Sequence, residues 1–280
     1  MTILVTGARG NVGRRVLERL HAAGHSLRAS GRTPEQLSVP TGVDVALLDL
    51  NRPQTFEAAL RGVDKVFLYA ESEGAKDLFA AAGRAGVRHV VLLSSSTVGE
   101  LDAETDALAR MHATVEDALA ESGLPGTVLR PGAFASNAFG WSGSIRARQD
   151  LRLPYVDAHT APIHEDDIAD VAVAALADEA LTGRTLTLTG PRSLTFREQV
   201  GILAGVIGRE IPLHELTREE AVEQLGRFMP APILASLLDQ WAAALDAPVP
   251  VDDTVERVTG KPARTFESWA AENRAAFTQD

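Results

Sequence analysis

The chain has 280 residues, 45% of them hydrophobic, a formal charge of −11 and no cysteine. Disulfides, thiolate nucleophiles and Cys-ligated zinc or iron–sulfur centres are thereby excluded, and the acidic balance, with no Lys/Arg block, argues against direct nucleic-acid binding. No apolar run reaches the roughly 18 residues of a membrane span, and "TILVTG" directly after Met1 lacks the basic start of a secretion signal, so a cytoplasmic protein without membrane contact is expected.

Through the first half, short β-branched runs alternate with helical stretches. "TILVT" precedes a helix from Asn11 to Ala23, then come "SLRAS", "DVALLDL", a helix near Gln54 to Leu60, "KVFLY", a helix near Ala75 to Ala85 and "HVVLLSS". This alternation predicts βαβ units and an α/β fold built on a doubly wound parallel sheet. "DALARMHATVEDAL", residues 106 to 119, is an amphipathic helix with Leu108, Met111, Val115 and Ala118 along one face and His112 at its edge. "GTVLR" and "RTLTLTG" supply further strands. After Arg130 the chain turns rich in Pro, Gly and aromatics with little periodicity, a texture that marks substrate-site loops in compact domains. From Ser193 onward it is mostly helical. The expected division is a Rossmann domain over 1–130, its sheet completed by about 163–190, and a smaller, mostly helical substrate-binding cap from 131–162 and 191–280.

"ILVTGARGNVGRRVLERL" places Gly7, Gly10 and Gly13 between the first strand and a helix whose apolar face is Val12, Val16, Leu17 and Leu20. The first glycine permits a tight turn, the second lets backbone amides approach a pyrophosphate, and the third allows close helix–strand packing, with the helix N-terminus facing the anion. The whole turn, including Arg9, Asn11 and Val12, is assigned to a dinucleotide. At the end of the second strand, "RASGRTP" offers Arg32 and no acid, which favours the 2′-phosphate of NADP over the ribose of NAD. Arg9 adds to that charge, and the alternative for either arginine is that it is merely solvated.

"TGARGNVG" resembles the short-chain dehydrogenase/reductase superfamily, and "SGLPGTVLRPGAFASN", "APIHEDDIADVAVAAL" and "LTLTGPRSLTFREQV" resemble its NmrA-like atypical family along nearly the whole chain. The resemblance implies NADP, with NADPH preferred over NADH. It sets Asp49 and Leu50 beside the adenine, with Asp49 otherwise capping a turn, and Ala70, Ser94 and Pro131 along the rest of the cofactor. It also implies reductase activity of the quinone oxidoreductase type. Other members are NADP-sensing regulators without turnover, or tailoring enzymes that isomerise or cyclise small molecules.

In reductases of this superfamily, a serine after the strand here written "HVVLLSSS" and a Tyr-x-x-x-Lys pair on the next helix polarise and protonate the carbonyl. Ser94, Ser95 and Ser96 stand at that strand end. The tyrosine position carries Leu108 and the lysine position His112, followed by Glu116. Losing a general acid costs on the order of 10²–10⁴-fold. The loss weighs most on a simple ketone and least on a quinone or conjugated carbonyl, whose reduced form is a weak base. His112 is a weaker acid or a ribose-orienting donor, or is bonded to Glu116 one turn along. Only two tyrosines exist to replace the missing phenol. Tyr69 ends "KVFLY" and Tyr155 lies in "RLPYVDAHT". Phe134, Asn137, Phe139 and Tyr155 are expected to line the substrate pocket. His159, His164, Asp166 and Asp167 cluster in "HTAPIHEDDIAD", but no metal is expected, because the acids read as the N-cap and first turn of the following helix. The expected partner is a small-molecule substrate, and the expected assembly a monomer or homodimer.

Overall fold

Strand β1 (Thr2–Val5) sends Ile3 and Val5 into one hydrophobic cluster and Leu4 into another, because successive side chains point to opposite faces of a sheet. The same division continues through α1 (Asn11–Ala22), β2 (Ser26–Gly31), β3 (Asp44–Leu47), α2 (Phe56–Leu60), β4 (Lys65–Tyr69), α3 (Ala75–Ala85), β5 (His89–Leu93), α4 (Thr97–Glu100), α5 (Ala107–Ser122) and β6 (Gly126–Pro131). The chain then forms α6 (Ser142–Arg146), β7 (Leu151–Pro154), β8 (His159–Thr160), α7 (Glu165–Ala177), β9 (Thr185–Leu188), β10 (Leu194–Thr195), α8 (Phe196–Ile207), β11 (Leu213–Leu216), α9 (Arg218–Leu225), α10 (Ala231–Ala243), α11 (Thr254–Thr259) and α12 (Phe266–Glu272). This architecture is that of a computed structural model, which describes residues 1–278.

Seven parallel strands form one sheet in the order β3-β2-β1-β4-β5-β6-β9. Strand order reverses between β1 and β4, and the crevice outside the carboxyl ends of these strands is where open α/β sheets bind ligands. One face packs against α1 and α7, with Val16, Leu17 and Leu20 meeting Ile168, Ala172 and Ala175. The other packs against α2, α3 and α5 through Phe56, Phe79, Val115 and Leu119.

The acids of "HEDDIAD" tie α7 to α1 and to the segment before α12, on one face of the sheet. Asp166 accepts from Arg15 at 2.9 Å and Arg19 at 2.7 Å, Asp170 from Arg19 at 2.6 Å and Arg264 at 2.9 Å, and buried Asp167 from Arg264. Glu165, Asp166 and Asp167 form the first turn of α7, where negative charge meets the positive end of the helix dipole. The N-cap itself is His164, whose Nδ1 accepts from the Asp166 amide at 3.1 Å while Nε2 donates to Glu272 at 3.1 Å.

The segments expected to form the cap hold two small cores. Trp269, Phe266 and Phe277 pack with Leu203 of α8, and Leu234 and Leu238 of α10 pack with Ala221 of α9. Helix α10 also rests on α5. Within the stretch expected to belong to the cap, α11 instead returns to the sheet domain, burying Val255 against the α1–α7 cluster. The aperiodic stretch after Arg130 contains β7, paired in parallel with β11, and β8, antiparallel to β10. Strands this short carry too little alternation to be read locally. Among the described residues, no helix is long and apolar enough to cross a membrane.

Candidate active site

Gly7 has φ of +62°, a conformation open to glycine at little cost, and its carbonyl accepts the Gly10 amide at 2.8 Å, closing the turn. A Cβ on Gly13 would lie 2.3 Å from that carbonyl oxygen, so helix α1 approaches β1 as closely as the glycine pattern requires. Gly10 is the N-cap of α1, with no side-chain cap and no acid in the first turn. The first amides of a twelve-residue helix therefore stand without side-chain partners at the carboxyl end of the sheet, with exposed Asn11 beside them and Val12 buried behind. This uncapped turn, too tight for any side chain at Gly13, fits a pyrophosphate.

Around it lie the other residues expected to hold a dinucleotide. Arg32 follows β2, exposed, with no ion pair or hydrogen bond of its guanidinium among the described residues. Arg9 donates to Gln36 at 2.9 Å across the same corner, so its charge is held near Arg32. Asp49 accepts the Asn51 amide at 3.1 Å, which makes it a turn cap as well as a neighbour of Leu50. Leu50 is half-buried, and its carbonyl presses so close to Gly74 that a Cβ there would meet it at 2.1 Å. Ala70 is buried, its amide bonded to the Leu93 carbonyl at 3.1 Å. Tyr69 is 55% exposed at the end of β4, facing Gly7, whose added Cβ would lie 3.3 Å from the tyrosine Cβ.

At the end of β5 the three serines have different engagements. Ser94 donates its hydroxyl to Glu116 Oε1 at 2.5 Å, and Glu116 also accepts a fork from Arg130, Nε at 3.0 Å and Nη2 at 2.6 Å. The Ser95 hydroxyl accepts from the Thr97 hydroxyl at 3.0 Å and from its amide at 3.3 Å, starting α4. The buried Ser96 donates its amide to the Pro131 carbonyl at 3.0 Å, joining the ends of β5 and β6. His112 lies one turn before Glu116 on α5. The Glu116 carboxylate is taken by Ser94 and Arg130, and the His112 Nδ1 is buried with no hydrogen-bond partner. Burial pushes the His112 imidazole below its usual pKa, more than the charge of Glu116 lifts it.

The residues expected to meet the substrate divide between the segment just after β6 and the C-terminal helical part. Phe134 bridges to Ile163 beyond β6 and packs on the α1–α7 cluster, and Asn137 is exposed on the next turn. Phe139 packs into the cap core, its ring 4.9 Å from Trp269. Tyr155, at φ of +49°, packs against Leu216 and Leu234 in the cap, its hydroxyl 3.4 Å from Arg218. The site thus brings together the glycine turn, Tyr69, Ser94 to Ser96, Pro131 and the start of α5. Arg130 escapes a sequence reading as a member of the site because its partner lies 14 residues away on another element.

The model of the NAD(P)H-binding family matches residues 7–179, from the first glycine of the turn to the end of α7. The chain belongs to the NAD(P)H-binding family. This NAD(P)H-binding protein is 41% identical, over 99% of its length and 100% of the relative, to (4-alkanoyl-5-oxo-2,5-dihydrofuran-3-yl)methyl phosphate reductase of Streptomyces griseus. It is 32% identical to an NAD(P)H azoreductase of Xenophilus azovorans, over 98% of this chain and 99% of the relative. Its fold is shared with an NADPH-dependent quinone oxidoreductase of Escherichia coli, with a TM-score of 0.81 at 22% identity over 97% and 99% of the two chains. The resemblance read from the sequence holds, and with it the doubly wound fold and the assignment as an NAD(P)H-dependent oxidoreductase.

Proposed function

We propose that the protein is an NADPH-dependent reductase of small planar acceptors whose reducible bond is conjugated to a carbonyl, quinones and acylated unsaturated lactones among them. The observation that carries this reading is the commitment of the Ser94 hydroxyl to Glu116, on a helix whose tyrosine and lysine positions hold Leu108 and His112. Such a site has no phenol–ammonium pair to protonate a strongly basic alkoxide. A hydroquinone anion or a 1,3-dicarbonyl enolate needs none, because its charge is delocalised, into the aromatic ring or over two oxygens, and water protonates it. The relative from S. griseus supports the same class: by its name it reduces a ring in which the double bond is conjugated to both a lactone and an alkanoyl carbonyl.

In this reading the amides of Gly7 to Gly13 and the N-terminus of α1 hold the pyrophosphate. Arg32, with Arg9 beside it, holds the 2′-phosphate and sets the preference for NADPH, while Asp49, Leu50 and Ala70 flank the adenine side. When bound, the reduced nicotinamide supplies a hydride. Ser94, Pro131 and His112 border its end of the crevice. Phe134 and Asn137 line the acceptor's side, Tyr69 closes it from β4, and Phe139 and Tyr155 set the position of the cap. The fluorescence of NADPH titrated with the protein, followed by its consumption over a panel of quinones and 2-acyl butenolides, tests this. No binding at millimolar cofactor overturns it. Binding without consumption of any acceptor points instead to an NADP-sensing regulator.

A further inference from the structure

Among the described residues, His112 is the one histidine with a buried ring nitrogen that has no hydrogen-bond partner. Helix α5 runs antiparallel to the strands, and its first turns project beyond the carboxyl end of the sheet. Glu116 reaches Ser94 at the tip of β5, so the side chain one turn earlier on the same face stands over the crevice, about 5–6 Å farther out. Its Nδ1 is sealed from solvent with no acceptor or donor in reach, while Nε2, also without a protein partner, is not sealed.

A neutral imidazole carries one N–H. Placing it on Nδ1 would bury an unpaired donor, and protonating both nitrogens would bury an unpaired charge as well, at still greater cost. Either neutral tautomer leaves Nδ1 unpaired, and only the one with its proton on Nε2 offers an N–H from the unsealed nitrogen to a ligand. The surrounding charges do not reverse this. Glu116 is the charged group acting on the ring, its pull falls short of the burial cost, and its carboxylate is already matched by Arg130 from β6. No charged group of α3, α4 or α10, the other elements against α5, acts on the ring among the described residues.

We propose that His112 serves as an Nε2–H hydrogen-bond donor to the acceptor oxygen of the substrate, not as a proton-transferring acid. This rests on the reductase reading above. The two-electron reduction then takes its hydride from the dihydronicotinamide and its proton from water, and His112 neither gains nor loses a proton. A neutral imidazole suits a weakly basic enolate or hydroquinone anion, which needs stabilisation more than protonation.

Nitrogen-15 NMR of the imidazoles in the whole unliganded protein decides the tautomer without reference to activity, with His112 assigned by the signal lost in His112→Gln. The expected result is an Nε2–H tautomer with no titration centred near the ordinary 6.5. An Nδ1–H tautomer, or an imidazolium at pH 6.5, overturns the proposal while leaving the reductase reading intact. In turnover, His112→Phe should lower kcat by about 100-fold, the scale of losing one donor to developing charge. His112→Gln, which places an N–H near the Nε2 position, should recover most of that, and any ionisation of His112 seen in kcat should lie below the ordinary value of about 6.5. Failure of Gln to rescue, or a bell centred near 6.5, overturns the role. Absence of turnover in the unmodified protein overturns the reductase reading, and the substrate role with it, whatever the tautomer.

Discussion

The Ser94 hydroxyl donates to Glu116 at 2.5 Å, and through that carboxylate the ends of β5 and β6 are fastened to α5. The serine that superfamily reductases aim at a carbonyl is here part of the scaffold of the crevice. Its proton points away from any ligand while Glu116 is charged, because a carboxylate can only accept.

Glu116→Gln should therefore act on stability first. The Glu116–Arg130 pair is mostly buried, with side-chain exposures of 11% and 22%, and neutralising one partner leaves the guanidinium without its counter-charge. A loss of about 2–3 kcal/mol is expected, against about 1 kcal/mol for Ser94→Ala. Urea denaturation of the two variants checks the order. Equal and negligible shifts would mean that the network holds nothing.

Two glycines of the turn should fail in different ways. At Gly13 an added methyl meets the Gly7 carbonyl oxygen at 2.3 Å, a backbone contact that cannot rotate aside, so Gly13→Ala should cost about 2–3 kcal/mol of stability. At Gly10 the nearest atom is 3.2 Å away, and the variant should fold while its methyl narrows the anion face of α1. Cofactor fluorescence should show NADPH binding weakened at least tenfold in Gly10→Ala, with thermal stability little changed.

Among the described residues the Arg32 guanidinium has no partner, whereas Arg9 is bonded to Gln36. Arg32→Asp should weaken NADPH about 10–100-fold, the scale of one or two charge-assisted bonds, and leave NADH nearly unaffected or improved. Arg9→Ala should do less. Binding curves for both cofactors separate a 2′-phosphate contact from a general effect of charge, which would move NADH as well.

Acid should destabilise the protein from near neutrality. His89 is buried beside Lys65, and both burial and that ammonium hold its pKa below the usual value; burial does the same to His112. The unfolded chain thus binds protons that the folded chain does not as pH falls through the ordinary histidine value of about 6.5, so stability present above that value is lost below it, by at most about 1.4 kcal/mol per pH unit for each ring until its folded pKa is reached. Asp166 continues the trend at lower pH. Burial raises its pKa, but Arg19 and Arg15 outweigh burial and set it below the usual carboxylate value, so its contribution is lost as acid protonates it. Urea midpoints between pH 5 and 8 should fall with pH in the parent and less steeply in His89→Gln.

Much of this molecule is written locally. The alternation of β-branched runs with amphipathic stretches determines the βαβ units, the glycine spacing determines the turn before α1, and the acids of "HEDD" determine the first turn of α7, because each follows from backbone sterics, residue period or helix polarity within a few neighbours. Only the tertiary structure decides that Glu116 belongs to Ser94 and Arg130 instead of His112, that α11 returns to the sheet domain, and that β7 pairs with β11. These relationships join residues far apart in the chain through space, and no period or cap announces them. The charge state of His112 belongs to the same group. Its spacing places it on the helix, but whether its ring is neutral depends on what seals Nδ1, and that follows only once the other elements pack around α5.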